Sequence, residues 1–418
     1  MSIRLIDGFA TTAALAEVFS DAEILRAMLR FEVALAAAQA RLKMIPQSAA
    51  AQICKIQSIE ASSLAEDARA SATLAVPFVK ALAERVREID PGAAAFVHWG
   101  ATSQDLLDTA LILLLRNARE ILSEDHARLS RQLRELSDRH AHSLMLARTL
   151  LQPAPPTTFG YKVAGWFGAV ERSWQRWSRA FDEALQLQFG GAAGTLASYA
   201  GRGPELAREI SKELHLADPP APWHAHRDRL ASLVAQCGVY SGALAKMARD
   251  IALLMQHEIG ELSEPGGESS AMPNKRNPSG CVVALAATAH VPAFVAAFLS
   301  AMPQEHERAA GGWQSEWPTI AGAIQATGSA LAAIADTIGR LTVDPVRMLV
   351  NIEATHGAVF AEKAAMLVGN AAVKEALKEK TLRAALAPLL TPEQLDNIDH
   401  PEDYLGAAEF FRCRLLEN

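Results

Sequence analysis

From Leu106 to His140 the chain runs without a single proline or glycine, and its leucines recur at helical spacing. Leu111, Leu115, Leu122, Leu129, Leu133 and Leu136 fall three, four or seven positions apart, as one face of an amphipathic helix or long helical pair requires. Residues 161–188 and 228–263 show a similar pattern, and Val-, Ile- and Thr-rich alternating runs are almost absent. Such a chain is expected to fold as an all-α protein around long helices.

Glycine and proline cluster at 90–92, 152–156, 190–203, 218–222, 264–267 and 342–345. Segments between the first and last of these breaks are long, and those outside are shorter. The expected organisation is three domains: an N-terminal helical domain over 1–98, a central long-helix bundle over 99–341 and a C-terminal helical domain over 342–418. Residues 281–302, CVVALAATAHVPAFVAAFLSAM, have the length and apolarity of a membrane span, and no second segment stands out. His290 and Pro292 in mid-segment, and its many alanines, favour a helix buried in a bundle instead. One subunit cannot comfortably cover so apolar a helix, so a homo-oligomer is expected.

The formal charge of −7 leaves no basic footprint for nucleic acid, although a few local cations can still hold an anionic substrate. Cys54, Cys237, Cys281 and Cys413 are far apart and read as ordinary thiols of a reducing compartment. The opening MSIRLIDGFATTAA lacks a signal-peptide core, so the expected location is the cytoplasm, with no membrane partner.

Five blocks have chemical content. In SSAMPNKRNP at 269–278, after Gly266 and Gly267, two hydroxyls precede a lysine by five and six residues. Such a loop suits proton transfer beside a carboxylate, with Lys275 and Asn277 holding developing charge; a solvated connection is the plainer reading. In HWGATSQDLLDT at 98–109, Thr102-x-x-Asp105 fits a capping box, and a capped helix start offers N–H groups to an anion. His98 and Trp99 alone read as core packing. ARTLLQPAPPTT at 147–158 places Arg148, Thr149 and Gln152 in a stretch whose prolines forbid a long helix. QFGGAAGTLASY at 188–199 lacks the lysine of a phosphate loop, so its glycines point to a tight turn or close packing. PWHAHRDRL at 222–230 brings Arg227 and Arg229 after two histidines without zinc spacing, so no metal is expected.

In this order the blocks HWGATSQD, ARTLLQPA, QFGGAAGTLA, PWHAHRDRL and SSAMPNKRNP resemble the fumarase/aspartase superfamily across nearly the whole chain. The AMPQEHER…GGWQSEW run at 301–317 and HPEDYLGAA at 400–408 are similar to its bacterial cycloisomerase branch, which lactonises 3-carboxy-cis,cis-muconate in protocatechuate (β-ketoadipate) degradation. The resemblance implies a small polycarboxylate substrate, no cofactor, and a homotetramer with the central helices in its core and sites at subunit junctions. It assigns proton transfer to Ser269 and carboxylate stabilisation to Lys275 and Asn277. Thr102 with Ser103, and Thr149 with Gln152, match two substrate-binding blocks. His98 gains a site role from the resemblance, and Arg227 or Arg229 is either a substrate-carboxylate contact or half of a structural ion pair.

Four residues depart from the superfamily pattern: Leu150 where related lyases have histidine, Pro153, Asn274 and Glu268. The Leu150 departure favours lactonisation. Adding water or releasing an amine benefits from a second acid/base. An intramolecular carboxylate is already an ionised nucleophile and needs chiefly to be folded into place. An adenylosuccinate-type lyase and an inactive structural protein on the same fold are the alternatives.

Overall fold

The computed structural model describes residues 4–60, 64–267, 271–378 and 381–417. Its longest helices are Ser103–Arg139, Phe159–Ala184, Asp228–Leu254, Ser279–Ala301 and Glu316–Arg340. In the first of these, Leu111, Leu115, Leu122, Leu129, Leu133 and Leu136 are all buried, so the spaced leucines are its packing face. The all-α expectation holds. Among the described residues, strands are confined to a hairpin, Leu144–Thr149 with Gln152–Thr158, and a two-residue pair, Leu262–Ser263 with Thr342–Val343.

The hairpin was not legible as one, because three prolines lie in its second strand. They are tolerated because a two-stranded ribbon is all edge, and the register shifts between Leu146 and Ala147, leaving Pro155 unpaired. Its turn is Leu150-Leu151, with both residues at positive φ (51° and 66°).

By compactness the chain divides into two units. The first takes Met1–Glu124, Gln175–Ser241 and Ala286–Ser329. Its Asp21–Arg41 helix is N-capped by Ser20, whose hydroxyl accepts the Glu23 N–H, and it buries Met28, Phe31 and Leu35. Two polar side chains on the same helix, Glu32 and Gln39, are also buried. The second unit takes Asp125–Trp174, Gly242–Leu285 and Ala330–Asn418. There Leu146 of the hairpin packs with Ile352, Phe360, Leu382, Leu386 and Ile398 in one apolar cluster. Arg412 ties the last helix, Ala408–Leu416, to Asp138 at 2.6 Å.

The Ser279–Ala301 helix has the apolarity read from sequence, with a mean hydropathy of 2.1 over its most apolar window. Only 28% of that window is buried within the chain, and Val282 and Leu299 lie at its surface. A second stretch, Trp313–Arg340, also has the length and composition of a span, which corrects the expectation of a single one. Its mean hydropathy is lower, 1.2, and 61% of its window is buried.

Candidate active site

The first unit holds the cluster around HWGATSQD. Asp105, fully buried near the start of the Ser103–Arg139 helix, accepts four donors: the N–H groups of Gly190 and Gly191 (both 2.9 Å), His224 Nε2 (2.7 Å) and the Thr102 N–H (3.1 Å). This is half of the predicted capping box, with the carboxylate reaching back to the helix start. The Thr102 hydroxyl accepts instead from Arg308 Nη1 at 2.6 Å. Arg308 Nη2 donates to the Gly191 and Ala192 carbonyls.

The glycine block therefore acts through its backbone. A Cβ on Gly190 would lie 2.6 Å from His224 Cε1 and 2.7 Å from Pro222, and Gly191 sits at φ +68°. That is close packing and a tight turn, with two amides aimed at Asp105.

His98 sits at φ +55°, its N–H donating to Glu32 Oε2 (3.1 Å) and its Nδ1 paired with Glu32 Oε1 at 2.5 Å. Burial disfavours the charged ring, but the buried Glu32 carboxylate outweighs it and holds His98 above its ordinary range. Nδ1 is thereby occupied by Glu32. Behind it, Gln39 and Tyr199 both donate to the Trp99 carbonyl at 2.8 Å, fixing the turn before the helix. Gly100 allows this, since a Cβ there would lie 2.5 Å from the Tyr199 hydroxyl oxygen.

Arg227 takes the ion-pair alternative. Its Nη1 and Nη2 bind Asp108 at 2.7 and 3.0 Å, and its Nε and Nη2 bind Glu316 at 3.0 and 2.5 Å. The guanidinium is wholly buried with a carboxylate on every nitrogen, which removes Arg227 from the substrate-binding set. Trp313 donates to Asp108 at 2.9 Å and Gln304 to Glu316 at 2.8 Å, so the 301–317 run is built into this knot. Burial pushes Glu316 up to about 7, against the pull of Arg227. Arg229 is only partly buried and has no carboxylate partner among the described residues.

The second unit holds the other two blocks. Thr149 and Gln152 face each other across the hairpin as its last strand pair, both exposed. Arg148, one residue before Thr149, makes a two-point ion pair with buried Glu261 (2.6 and 3.0 Å), which Asn351 also holds at 2.7 Å. In the serine loop, Glu268, Ser269 and Ser270 lie outside the described residues. The Asn277 N–H donates to the Gly267 carbonyl at 2.9 Å, closing the loop at its base, and Lys275 is exposed on a turn to the Met272 carbonyl. Glu264 accepts the N–H groups of Gly280 and Cys281, capping the following helix and fixing the loop's exit.

The residues missed from sequence are Glu32, Asp108, Arg308 and Glu316. Each owes its place to a partner far away in the chain, though the 301–317 run did mark the segment that holds two of them.

A family profile described as Lyase matches residues 9–292. The 3-carboxy-cis,cis-muconate cycloisomerase of Bradyrhizobium diazoefficiens is 40% identical, covering 98% of this chain and 96% of its own. The nitrosuccinate lyase of Streptomyces davaonensis is 38% identical over 93% of this chain and 89% of its own. Among solved structures, the 3-carboxy-cis,cis-muconate lactonizing enzyme of Pseudomonas putida superposes with a TM-score of 0.92 at 37% identity, covering 99% of this chain and 98% of that one. With the motifs in their order, the helices around them and likeness along the whole length, the chain belongs to the lyase family of the fumarase/aspartase superfamily.

Proposed function

We propose that the serine loop and the start of the Ser103–Arg139 helix together carry a lactonisation. The chain converts 3-carboxy-cis,cis-muconate to 4-carboxymuconolactone, an intramolecular lyase reaction in the catabolism of aromatic compounds through protocatechuate. The observation that carries this is the full-length likeness to cycloisomerases.

In the proposed chemistry a substrate carboxylate oxygen adds to a carbon of the far double bond. The displaced electron pair moves into the conjugated carboxylate, giving an enediolate-like dianion. Ser269 delivers one proton to carbon and recovers it from solvent; in reverse it is the base. Lys275, Asn277 and the positive helix end at Thr102 and Ser103 stabilise the dianion. His98, whose charged form Glu32 favours, offers its Nε2 to a substrate carboxylate. Thr149 and Gln152 contact the substrate from the hairpin. With Leu150 at the tip, no second acid/base is required, because the nucleophile is already ionised and tethered.

The poorly covered Ser279–Ala301 helix supports a homotetramer with sites at subunit junctions, in which that helix is buried among copies rather than in lipid. The division into 1–98, 99–341 and 342–418 is the domain organisation proposed by the resemblance, alongside the two compact units, with the cytoplasm as the proposed location and no nucleic-acid partner. One assay tests the function. Purified protein, without added metal, should remove the ultraviolet absorbance of 3-carboxy-cis,cis-muconate. No loss there, with turnover of adenylosuccinate instead, would overturn the reading.

A further inference from the structure

Glu261 and Glu264 are carboxylates of one short segment, and both are buried. Between them Leu262 and Ser263 pair with Val343 and Thr342 as extended chain. Extended backbone alternates its side chains, so positions an odd number apart project to opposite faces. Each carboxylate accordingly meets a different element.

Glu261 meets the hairpin. Arg148 binds it at two points, and Asn351 donates to its Oε1. Arg148 precedes Thr149 and stands opposite Pro153, the neighbour of Gln152, so this ion pair fixes the part of the hairpin that carries both polar residues. Glu264 meets the end of the serine loop. Its Oε2 accepts the Gly280 N–H at 2.9 Å and its Oε1 the Cys281 N–H at 3.3 Å, at the positive start of the helix. The fit leaves no slack, since a Cβ on Gly280 would lie 2.1 Å from Thr337 Oγ1 and 3.2 Å from Glu264 Oε2. The Ser279 N–H donates to the Asn277 carbonyl at 2.8 Å, so fixing the helix start also fixes Asn277.

We propose that Glu261 and Glu264 are positioning residues that hold the hairpin and the end of the serine loop to one shared segment. The proposal rests on the reading of Thr149, Gln152 and Asn277 as substrate residues. Neither glutamate touches substrate; each acts through the backbone it holds. Site groups brought from distant parts of a chain must be kept within about 0.5 Å of their working geometry. A carboxylate held by two charge-assisted bonds is a stiff way to do so.

The test compares Glu261→Gln with Glu264→Gln, each of which puts an amide NH2 where a carboxylate oxygen faced a donor. Hydrogen exchange should quicken in the 144–158 hairpin for the first variant, and at the start of the Ser279–Ala301 helix for the second, each leaving the other element unchanged. Kinetics on 3-carboxy-cis,cis-muconate should divide in the same way. Thr149 and Gln152 meet carboxylates already present in the ground state, so Glu261→Gln should raise KM roughly fivefold with kcat kept. Asn277 meets charge that develops later, so Glu264→Gln should lower kcat roughly tenfold with KM kept. Glu261→Asp and Glu264→Asp keep the charge and shorten its reach; they should show the same division and serve where a glutamine variant does not fold. Faster exchange in both elements for each variant, unchanged exchange, parallel losses in kcat and KM, or four unfolded proteins would overturn the inference in favour of a general structural role. A wild type inactive on the muconate would overturn the underlying function, while the exchange pattern would still decide whether the two carboxylates hold separate elements.

Discussion

Gly267 and Asn277 meet backbone to backbone: the Asn277 N–H donates to the Gly267 carbonyl at 2.9 Å, and a Cβ on Gly267 would lie 2.1 Å from the Asn277 carbonyl oxygen. No side chain fits, and at φ +66° only glycine is unstrained. Gly267→Ala is expected to open the base of the serine loop. Turnover should fall at least tenfold, while the loss of stability in a urea titration stays at about 1–3 kcal/mol, as for other overpacked sites.

Ser269→Ala removes the proposed proton carrier with little change in volume. Turnover of the muconate should drop by roughly 10²–10⁴, the usual worth of a positioned acid or base. The circular dichroism spectrum should match that of the wild type. A folded variant with near-normal turnover would remove Ser269 from the mechanism.

Arg227→Met separates structural from substrate roles. It leaves Asp108 and Glu316 buried without their shared cation, for which about 3–5 kcal/mol of lost stability is expected in chemical denaturation. Had Arg227 contacted substrate at an open surface, the main effect would be a raised KM with stability kept.

The Glu32–His98 pair makes a prediction in pH. Because the folded pKa of His98 lies above its unfolded value, the stabilisation is fully present below about 6.5 and is lost as pH rises through the folded value. Substrate binding through a charged His98 should weaken over the same window, so KM rises on the alkaline side. Glu32→Gln lowers the His98 pKa and should move that rise to lower pH. A KM profile identical in both proteins would show that His98 does not hold a substrate carboxylate.

Local order was readable from sequence, and long-range pairing was not. The leucines of the Ser103–Arg139 helix were identifiable because a helix writes its buried face into residue spacing. Asp105 was identifiable as a helix-start residue because capping is also local. Its other three partners, Gly190, Gly191 and His224, come from elsewhere in the chain, as does Glu32 behind His98. No periodicity encodes such pairs. Arg227 shows the limit well: an arginine among histidines is compatible with a substrate clamp or a buried pair, and only the positions of Asp108 and Glu316 decide it. The hairpin escaped notice for a different reason, since its prolines and its Leu-Leu turn contradict the usual strand and turn preferences.

The Ser279–Ala301 helix leaves most of its apolar window uncovered in a lone subunit. Its N-terminus is capped by Glu264, immediately before the serine loop. For the proposed homotetramer, the vulnerable interval is the one between synthesis and assembly. A newly folded chain would then display this helix until its partners arrive, with chaperones and aggregation competing for it in the meantime.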